Sequence, residues 1–490
     1  MRPPLFLGLD IGTTAIKGVL SEADGNVVAR ARFERSPGFP QPGWVEMDAE
    51  RDWWQVSLRV IRGLLGQAPG REKDILSVGV CGMVPCLCLI DENGQALRPA
   101  ILYSDNRALA ELAWASAQTG QALTAEALTP KLLWIKHHEP HVYARARQVL
   151  SAHQYVIHRL TGRACMDYDT ASILGGIFRF ASKTYDREML QRLDLPLSIW
   201  PELLPAPAAA GGVSAEAASA SGLAEGTIVL AGTGDTFPSI IGCGAVDTGD
   251  AMIAIGTTGL LTLTQRPLVE SVMGPHFDDG SGRASVGWAA NVLSAGQLAS
   301  WWAGQHDPDP VQGMARLEAQ AARIPPGAEG LTALPHLMGR RTPEPNPDLR
   351  GALIGLTPRH TAAHIYRALR EAFAFNVLQG FEPIRGITSR VVATGGGAAS
   401  PLWRQILADV LGVVIGYDAQ SSGALGMAYL AAWATGAVHE FDTVKRSWLR
   451  AETRAQPDPR AAAACRSAFQ SYQVFERAIE QAYAIQSLTA

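Results

Sequence analysis

Two of the patterns most diagnostic of nucleotide binding are missing from this chain. It has no Gly-x-x-x-x-Gly-Lys-Ser/Thr loop, and no Gly-x-Gly-x-x-Gly follows a strand, so neither a P-loop nor a dinucleotide-binding βαβ unit is expected. Cysteine is scarce. Six in 490 residues cannot form a disulfide framework, and they suit a reducing compartment. No excess of one charge is present: 42 Lys and Arg stand against 46 Asp and Glu, which gives no basis for nucleic acid or an anionic membrane as the main partner. A membrane-spanning run is lacking too. The longest uncharged stretch, Ala419 to Val438, contains Gln420, Ser421, Ser422 and several Gly and Ala, and reads as a buried helix. Before Asp10 only five apolar or small residues follow Met1-Arg2-Pro3-Pro4, too few for the apolar region of a signal peptide, so a cytoplasmic location is expected.

What is present is an ordinary globular composition, 47% apolar, at a length that suggests two large domains or three smaller ones. Gly accounts for 49 residues, which points to tight turns and close backbone approaches. The opening reads as a β-meander: Leu5 to Leu9 as a strand ending at Asp10, a turn at Gly12-Thr13-Thr14, a return over Ala15 to Leu20, and a hairpin at Asp24-Gly25 before Val27. Half the chain later, Ala251 to Ile255 leads into Gly256-Thr257-Thr258-Gly259 and a second apolar run, Leu260 to Leu263. Ile-Gly-Thr-Thr thus occurs at 11–14 and 255–258, each time at a strand–turn–strand, which suggests an internal duplication with two similar domains meeting across a cleft. The Ala-, Gly-, Ser- and Pro-rich stretch 206–226 resembles a linker, yet Ser214 to Ser221 fits a short capped helix ending at Gly222, and a strand follows at Thr227 to Ala231. The domains are therefore placed at 1–247 and 248–490. Ile365, Leu369, Phe373 and Val377 recur at helical spacing, as do Phe469, Tyr472, Phe475, Ile479 and Tyr483, and strands mixed with such helices make an α/β protein.

The candidate chemistry lies on glycine-rich turns. Gly-Thr-Thr lets the main chain approach a phosphate closely and offers backbone N–H groups and two hydroxyls. Asp10 would lie beside phosphates bound at the first turn, an arrangement that calls for an intervening cation, with Mg²⁺ the natural choice. Without a ligand, both turns are ordinary hairpins and Asp10 a turn-capping residue. Gly232-Thr233-Gly234-Asp235 puts a carboxylate on a loop at a strand's C-terminal end, where α/β sites usually lie. One such Asp, taking a proton from a substrate hydroxyl, is what phosphoryl transfer asks of a side chain; the alternative is an Asp that satisfies local N–H groups. Gly395, Gly396 and Gly397 sit between the strand Val391 to Ala393 and a helix opened by Ser400 and Pro401, which suits either a nucleoside or a tight connection with no ligand. Cys81, Cys86 and Cys88 have no metal-site spacing and read as buried thiols. His137 and His138 read as surface or capping residues, and the Trp pairs 53/54 and 301/302 as packing.

Taken together the chain resembles the FGGY family of carbohydrate kinases, over essentially its whole length. The resemblance is carried by Leu9-Asp10-Ile11-Gly12-Thr13-Thr14, by Gly43-Trp44-Val45-Glu46 with Trp53-Trp54, and by Arg98-Pro99-Ala100 with Asp105-Asn106-Arg107. Pro130-Lys131-Leu132-Leu133-Trp134-Ile135 looks like the first family signature. Gly351 to Leu356 with His364-Ile365 and Ala368 to Glu371 looks like the second, and Gly395 to Ala398 with Trp403-Arg404-Gln405 and Ala408-Asp409 completes the set. The resemblance implies two actin-like, ribonuclease H-like ATPase domains related by duplication, with an interdomain cleft, and ATP-dependent phosphorylation of a sugar or polyol hydroxyl. It implies Asp235 as general base and Asp10 as a Mg²⁺ ligand. Gly12, Thr13, Thr14 and Gly256, Thr257, Thr258 would cradle the phosphates, and Gly395, Gly396 and Gly397 would line the adenosine pocket. Met83, Val84, Asp235 and Thr236 would meet the sugar.

The overall pattern, with Lys17 and the Gly339 to Pro343 loop, is nearest to xylulokinase-like members, and a pentulose such as xylulose is the expected acceptor. Three departures bear on this. Met83-Val84-Pro85 lacks the His that such members carry after this strand, Thr236 replaces Asn or Gln, and Tyr103 stands where Trp is common. A lost polar contact of this kind is worth about 1–3 kcal/mol to a sugar that needs it, which leaves another ketose, a polyol or a sugar acid open. A catalytically silent sensor and a slow mechanical ATPase are the rival readings; retention of Asp10, Asp235 and both turns argues against the first, and no extra domain supports the second. The amphipathic C-terminal helix could serve a homodimer.

Overall fold

The computed structural model describes residues 2–268, 285–449 and 452–489. Contacts divide the chain into two units, one from Met1–Val246, Pro267–Ser285 and Ser422–Arg450, the other from Asp247–Arg266, Val286–Ser421 and Ala451–Ala490.

In the first unit, Leu5–Ile11, Ala15–Glu22 and Val27–Glu34 form the antiparallel meander anticipated from the turn residues, with Gly25 at φ +87° in the second turn. On the other side of Leu5–Ile11 lie two parallel strands, Ile75–Gly82 and then Ile228–Leu230, and an antiparallel edge strand, Ala209–Gly212. The second unit repeats the plan. Asp250–Ile255, Gly259–Thr264 and Val286–Val292 form the meander, Arg390–Thr394 and Ile415–Tyr417 the parallel pair, and Thr453–Ala455 the antiparallel edge. The duplication suggested by the repeated tetrapeptide is therefore a duplication of sheet topology. The edge strand alone differs in chain order, preceding the fifth core strand in the first unit and following it in the second.

All seven residues of Leu5–Ile11 are buried, because this strand is covered on both faces. Leu9 is paired with Gly18, and helix Val56–Gln67 reaches that face through Val60 and Leu64. Gly8 and Gly79 face the opposite way, against helix Gly423–Ala434, where a Cβ on Gly8 would lie 1.9 Å from the Ala424 carbonyl oxygen. The same helix crosses Thr236–Gly242 so closely that a Cβ on Gly426 would lie 1.9 Å from the Pro238 carbonyl oxygen. Glycine is used here for backbone contact, and the helix is buried on all sides from Gly423 to Ala432. It is the buried helix expected within Ala419 to Val438; among the described residues no helix is long and apolar enough to cross a membrane.

Local expectations hold at the other elements. Ser214 caps Ala215–Ser221, accepting from the Ala217 N–H, and Gly222 closes it in the left-handed conformation. Ser400 caps Pro401–Leu411 through the Trp403 N–H, 2.9 Å. The helices Ala362–Phe381 and Pro459–Thr489 coincide with the two apolar stripes read from the sequence. The stripe of the second, offered above to a homodimer, packs inside its own unit, with Phe469 and Tyr472 ring centroids 5.6 and 5.5 Å from that of Phe375. All six cysteines are buried and free.

Candidate active site

The first strand and its turn supply one side of the candidate site. Asp10 pairs with Lys17 on one neighbouring strand and Cys81 on the other, and is 8% exposed. Burial raises its carboxyl pKa, against the lowering effect of Lys17, whose Nζ is 3.8 Å away, and of Arg35. Arg35 also fixes the turn Gly12-Thr13-Thr14. Its Nε donates to the Gly12 carbonyl at 3.1 Å, a second guanidinium nitrogen donates to the same oxygen, and Nη1 donates to the Asp52 carbonyl at 2.6 Å. Its own backbone N–H donates to the Thr14 carbonyl, 3.0 Å. Burial lowers this guanidinium to about 10, with Cys86, Asp52 and Asp10 opposing. Arg35 has no signal in the sequence, since a lone arginine at a strand end carries no motif.

Asp235 comes from the segment Thr233–Gly234, which runs parallel to the end of Ile75–Gly82, and it opens helix Thr236–Gly242. Its carboxylate caps no N–H of that helix, although it is hydrogen-bonded to its own backbone N–H. Thr236 Oγ1 donates to it at 3.5 Å. The residue is half-buried, and the surrounding protein desolvates its carboxylate. That desolvation, reinforced by the charges of Asp10 and Asp169, pushes its pKa up to about 7.

Asp169, which sequence reasoning did not single out, acts electrostatically on Asp235. It lies in helix Tyr168–Ser172, whose N-cap Asp167 accepts from the Thr170 N–H at 2.9 Å and its hydroxyl at 2.7 Å. Burial alone would raise Asp167, but His153 at 3.0 Å and Thr170 bring it below the usual carboxylate range. Asp169 Oδ2 accepts from Thr233 Oγ1 at 3.2 Å. A Cβ on Gly234 would lie 2.6 Å from Val84 Cγ2 and 2.9 Å from Asp169 Oδ2, so this glycine lets an apolar and an acidic side chain close against the backbone beside Asp235. Thr13 Oγ1 is 3.5 Å from Met83 Sδ, and Tyr103 interacts with both Thr13 and Asp235. The only sequence hint of Asp169 is the Asp-x-Asp spacing with Asp167, where capping claims the first carboxylate.

The signature lysine, Lys131, is internal. Its ammonium donates to the carbonyls of Leu102 (2.9 Å), Tyr103 (2.8 Å) and Glu126 (3.3 Å), and burial lowers it to about 8. It thereby holds the segment carrying Tyr103 and Asp105. Arg107 stacks 3.7 Å above the Trp44 ring and pairs with Asp105 (2.8 Å) and Glu46 (2.7 Å), which joins two of the sequence motifs into one cluster.

In the second unit, Gly256-Thr257-Thr258 is exposed and propped from behind: the Ala295 N–H donates to the Thr257 carbonyl (3.0 Å) and the Gly296 N–H to that of Gly256 (2.9 Å). Gly395, at φ +88°, packs on the Ile255 backbone, where a Cβ would lie 2.7 Å from the Ile255 carbonyl oxygen. The Gly395–Gly397 loop therefore lies next to the strand end that feeds the Gly-Thr-Thr turn, and around Gly396 there is open space. Asp10, Gly12, Thr13, Thr14, Met83, Val84, Asp235 and Thr236 thus belong to the first unit, and Gly256, Thr257, Thr258 and Gly395 to Gly397 to the second.

A sheet plan of three antiparallel strands and two parallel ones, present twice, defines the actin-like, ribonuclease H-like class, and this molecule is a phosphotransferase of that class with an alcohol group as acceptor. The chain belongs to the FGGY family of carbohydrate kinases, whose N-terminal domain matches residues 5–242 and whose C-terminal domain matches residues 251–435. It is similar to the xylulose kinase of Escherichia coli (strain K12), 31% identical over 441 residues that cover 87% of this chain and 89% of the relative. The gluconokinase of Bacillus subtilis (strain 168) is 27% identical over 469 residues, covering 90% and 89%. The crystal structure of xylulose kinase from Rhodospirillum rubrum has a TM-score of 0.81 at 28% identity and covers 98% of this chain and 100% of that one. This chain is accordingly an ATP-dependent sugar kinase.

Proposed function

We propose that the acceptor is a pentulose such as xylulose and that Asp235 is the base that takes its proton. The observation that supports this best is the tuning of Asp235 to about 7 at a strand end where its carboxylate caps no helix N–H. A carboxylate with that pKa is partly ionised at neutral pH and is basic enough to accept a hydroxyl proton as transfer proceeds. The proton passes from the acceptor O–H to an Asp235 oxygen, the acceptor oxygen bonds to the γ-phosphorus, and the bond from that phosphorus to the β,γ-bridging oxygen breaks to release ADP. In this reading Gly12, Thr13 and Thr14, and Gly256, Thr257 and Thr258, hold the phosphates through backbone N–H groups and hydroxyls. Gly395, Gly396 and Gly397 admit the adenosine, and Met83, Val84 and Thr236 line the sugar.

Asp10 fits a Mg²⁺ held through one carboxylate together with water and substrate phosphates, because a carboxylate kept in a desolvated place gains most from a cation. Among the described residues no group of three or more His, Cys, Asp or Glu forms a dedicated metal cage, as that mode of binding requires none. When bound, Mg²⁺ would supply charge neutralisation of the phosphates. We place the reaction in the cytoplasm, in keeping with the six free cysteines. The test is coupled ADP release from Mg-ATP with D-xylulose, the phosphorylated product being weighed by mass spectrometry. Acceptor-dependent ADP formation matched by sugar phosphate is expected; ADP release that no sugar alters would contradict the reading and favour a slow ATPase.

A further inference from the structure

The Gly339 to Pro343 loop has no part in the proposed proton transfer, yet the second unit anchors it on several sides. Arg340 and Asn346 exchange backbone hydrogen bonds of 2.8 Å, which closes a hairpin, and Arg340 Nε donates to the Glu344 carbonyl at 3.0 Å. The C-terminal helix Pro459–Thr489 holds the hairpin's base with two carboxylates. Glu480 accepts from Arg340 (2.6 Å) and from the Asn346 amide (2.9 Å). Glu476 accepts from His336 (2.7 Å), the Tyr472 hydroxyl (3.0 Å) and Gln379 (2.8 Å). Burial alone would raise Glu476, but His336, Gln379 and Arg340 bring it below the usual carboxylate range, so it stays ionised at neutral pH.

Within this hairpin Thr342 meets the strand that supports the second Gly-Thr-Thr turn. Its hydroxyl accepts from the Asn291 N–H and donates to the Asn291 carbonyl, both at 3.0 Å. Among the described residues Val286–Val292 is the outermost strand of its sheet, and backbone groups on such an edge need partners of this kind. Asn291 is paired with Leu260, and Val292 with Gly259, the residue that follows Thr258. The chain then reaches Ala295 and Gly296, whose N–H groups prop the carbonyls of Thr257 and Gly256. Helix Ala362–Phe381 clamps the same place. Asn376 Nδ2 donates to the Thr342 carbonyl at 3.2 Å, and one turn earlier Phe373 lies against Gly259, where a Cβ would be 2.2 Å from Cε2.

We propose that Thr342 is a positioning residue for the nucleotide's phosphates, its hydroxyl fixing the strand end that presents Gly256, Thr257 and Thr258. The inference rests on the reading that this turn holds phosphates, and it adds a residue that acts through the turn. The turn is exposed, so its aim depends on the segments behind it, and hydrogen bonds to a phosphate weaken steeply when donors are misaligned.

Binding of ATP and of AMP to the full chain, measured by calorimetry, tests it, because AMP lacks the β- and γ-phosphates. Thr257→Ala, which alters the turn itself, should lower the ratio of ATP to AMP affinity. Thr342→Val, which keeps the shape and removes the hydroxyl, and the smaller Thr342→Ala should each lower that ratio by about threefold or more, with AMP affinity unchanged. Thr342→Ser, which keeps the hydroxyl, should restore it. If Thr257→Ala lowers the ratio and the Val and Ala variants do not, or if they weaken ATP and AMP alike, the proposal is overturned while the phosphate reading stands. A Ser variant as impaired as the Val variant overturns it too. If Thr257→Ala itself leaves the ratio unchanged, the phosphate reading fails and this inference falls with it.

Discussion

A carboxylate whose surroundings raise it to about 7 makes a rate depend on pH in a definite direction. As the proposed base, Asp235 must be ionised to take the proton, so kcat/KM for the acceptor should rise with pH through an apparent pKa near 7 and then level off. The cause is enclosure by protein together with Asp10 and Asp169, so Asp169→Asn should move that limb to lower pH. A rate profile that is flat from about pH 5 to 9 would show that no group tuned in this way limits the reaction. The sign for stability is opposite. Asp235 is raised in the folded state, so its ionisation works against folding as pH rises through about 7, whereas below the unfolded value both states are protonated and the difference vanishes. The catalytic setting therefore carries a stability cost that builds from the unfolded value up to about pH 7 and is complete where the base is ionised.

Single residues were unequally readable. Asp10 and Asp235 stand at strand ends on glycine turns, a position that singles them out as candidates. Arg35 and Asp169 reach the site through tertiary structure, Arg35 by folding back over 23 residues to Gly12, Asp169 from a helix 64 residues before its partner Thr233. Neither has a local pattern to declare it. Lys131 was visible as part of a signature, but only the fold shows that its ammonium points inward to three carbonyls.

At the scale of elements, two glycines predict opposite outcomes for one substitution. Gly66 is exposed near the end of helix Val56–Gln67, and a Cβ placed there would meet nothing within 4 Å. Gly66→Ala should therefore stabilise by about 0.5–1 kcal/mol through helix propensity. Gly426 is also helical, yet its Cβ would lie 1.9 Å from the Pro238 carbonyl oxygen. Gly426→Ala should destabilise by about 1–3 kcal/mol or more, because backbone cannot yield as a side chain can. Denaturant unfolding of the two variants checks both signs, and equal shifts would refute the close-contact account. Caps, hairpins and helical stripes were legible because each rests on residues adjacent in sequence. The pairing of helix Gly423–Ala434 with Gly8 and Gly79 was not, since apolar character says that a helix is buried without saying against what.

For the whole molecule, the first unit is completed by residues from the far end of the chain. Helix Gly423–Ala434 covers the sheet face at Gly8 and Gly79, so a polypeptide ending at residue 246 would expose that apolar face. Such a fragment should lack a cooperative thermal transition, and a sharp native-like transition would show that the helix is dispensable. The duplication itself was readable from four repeated residues, because a strand–turn–strand motif fixes a meander; the order of the edge strands was not, as it depends on long-range pairing. The central claim is that Asp235 takes the acceptor's proton in an ATP-dependent sugar kinase. Its most direct test compares wild type and Asp235→Asn in acceptor-dependent ADP release, with ATP affinity measured by calorimetry on the same preparations. The account predicts transfer lowered by about a thousandfold or more with ATP affinity nearly unchanged. A variant that keeps most of the wild-type rate would contradict it.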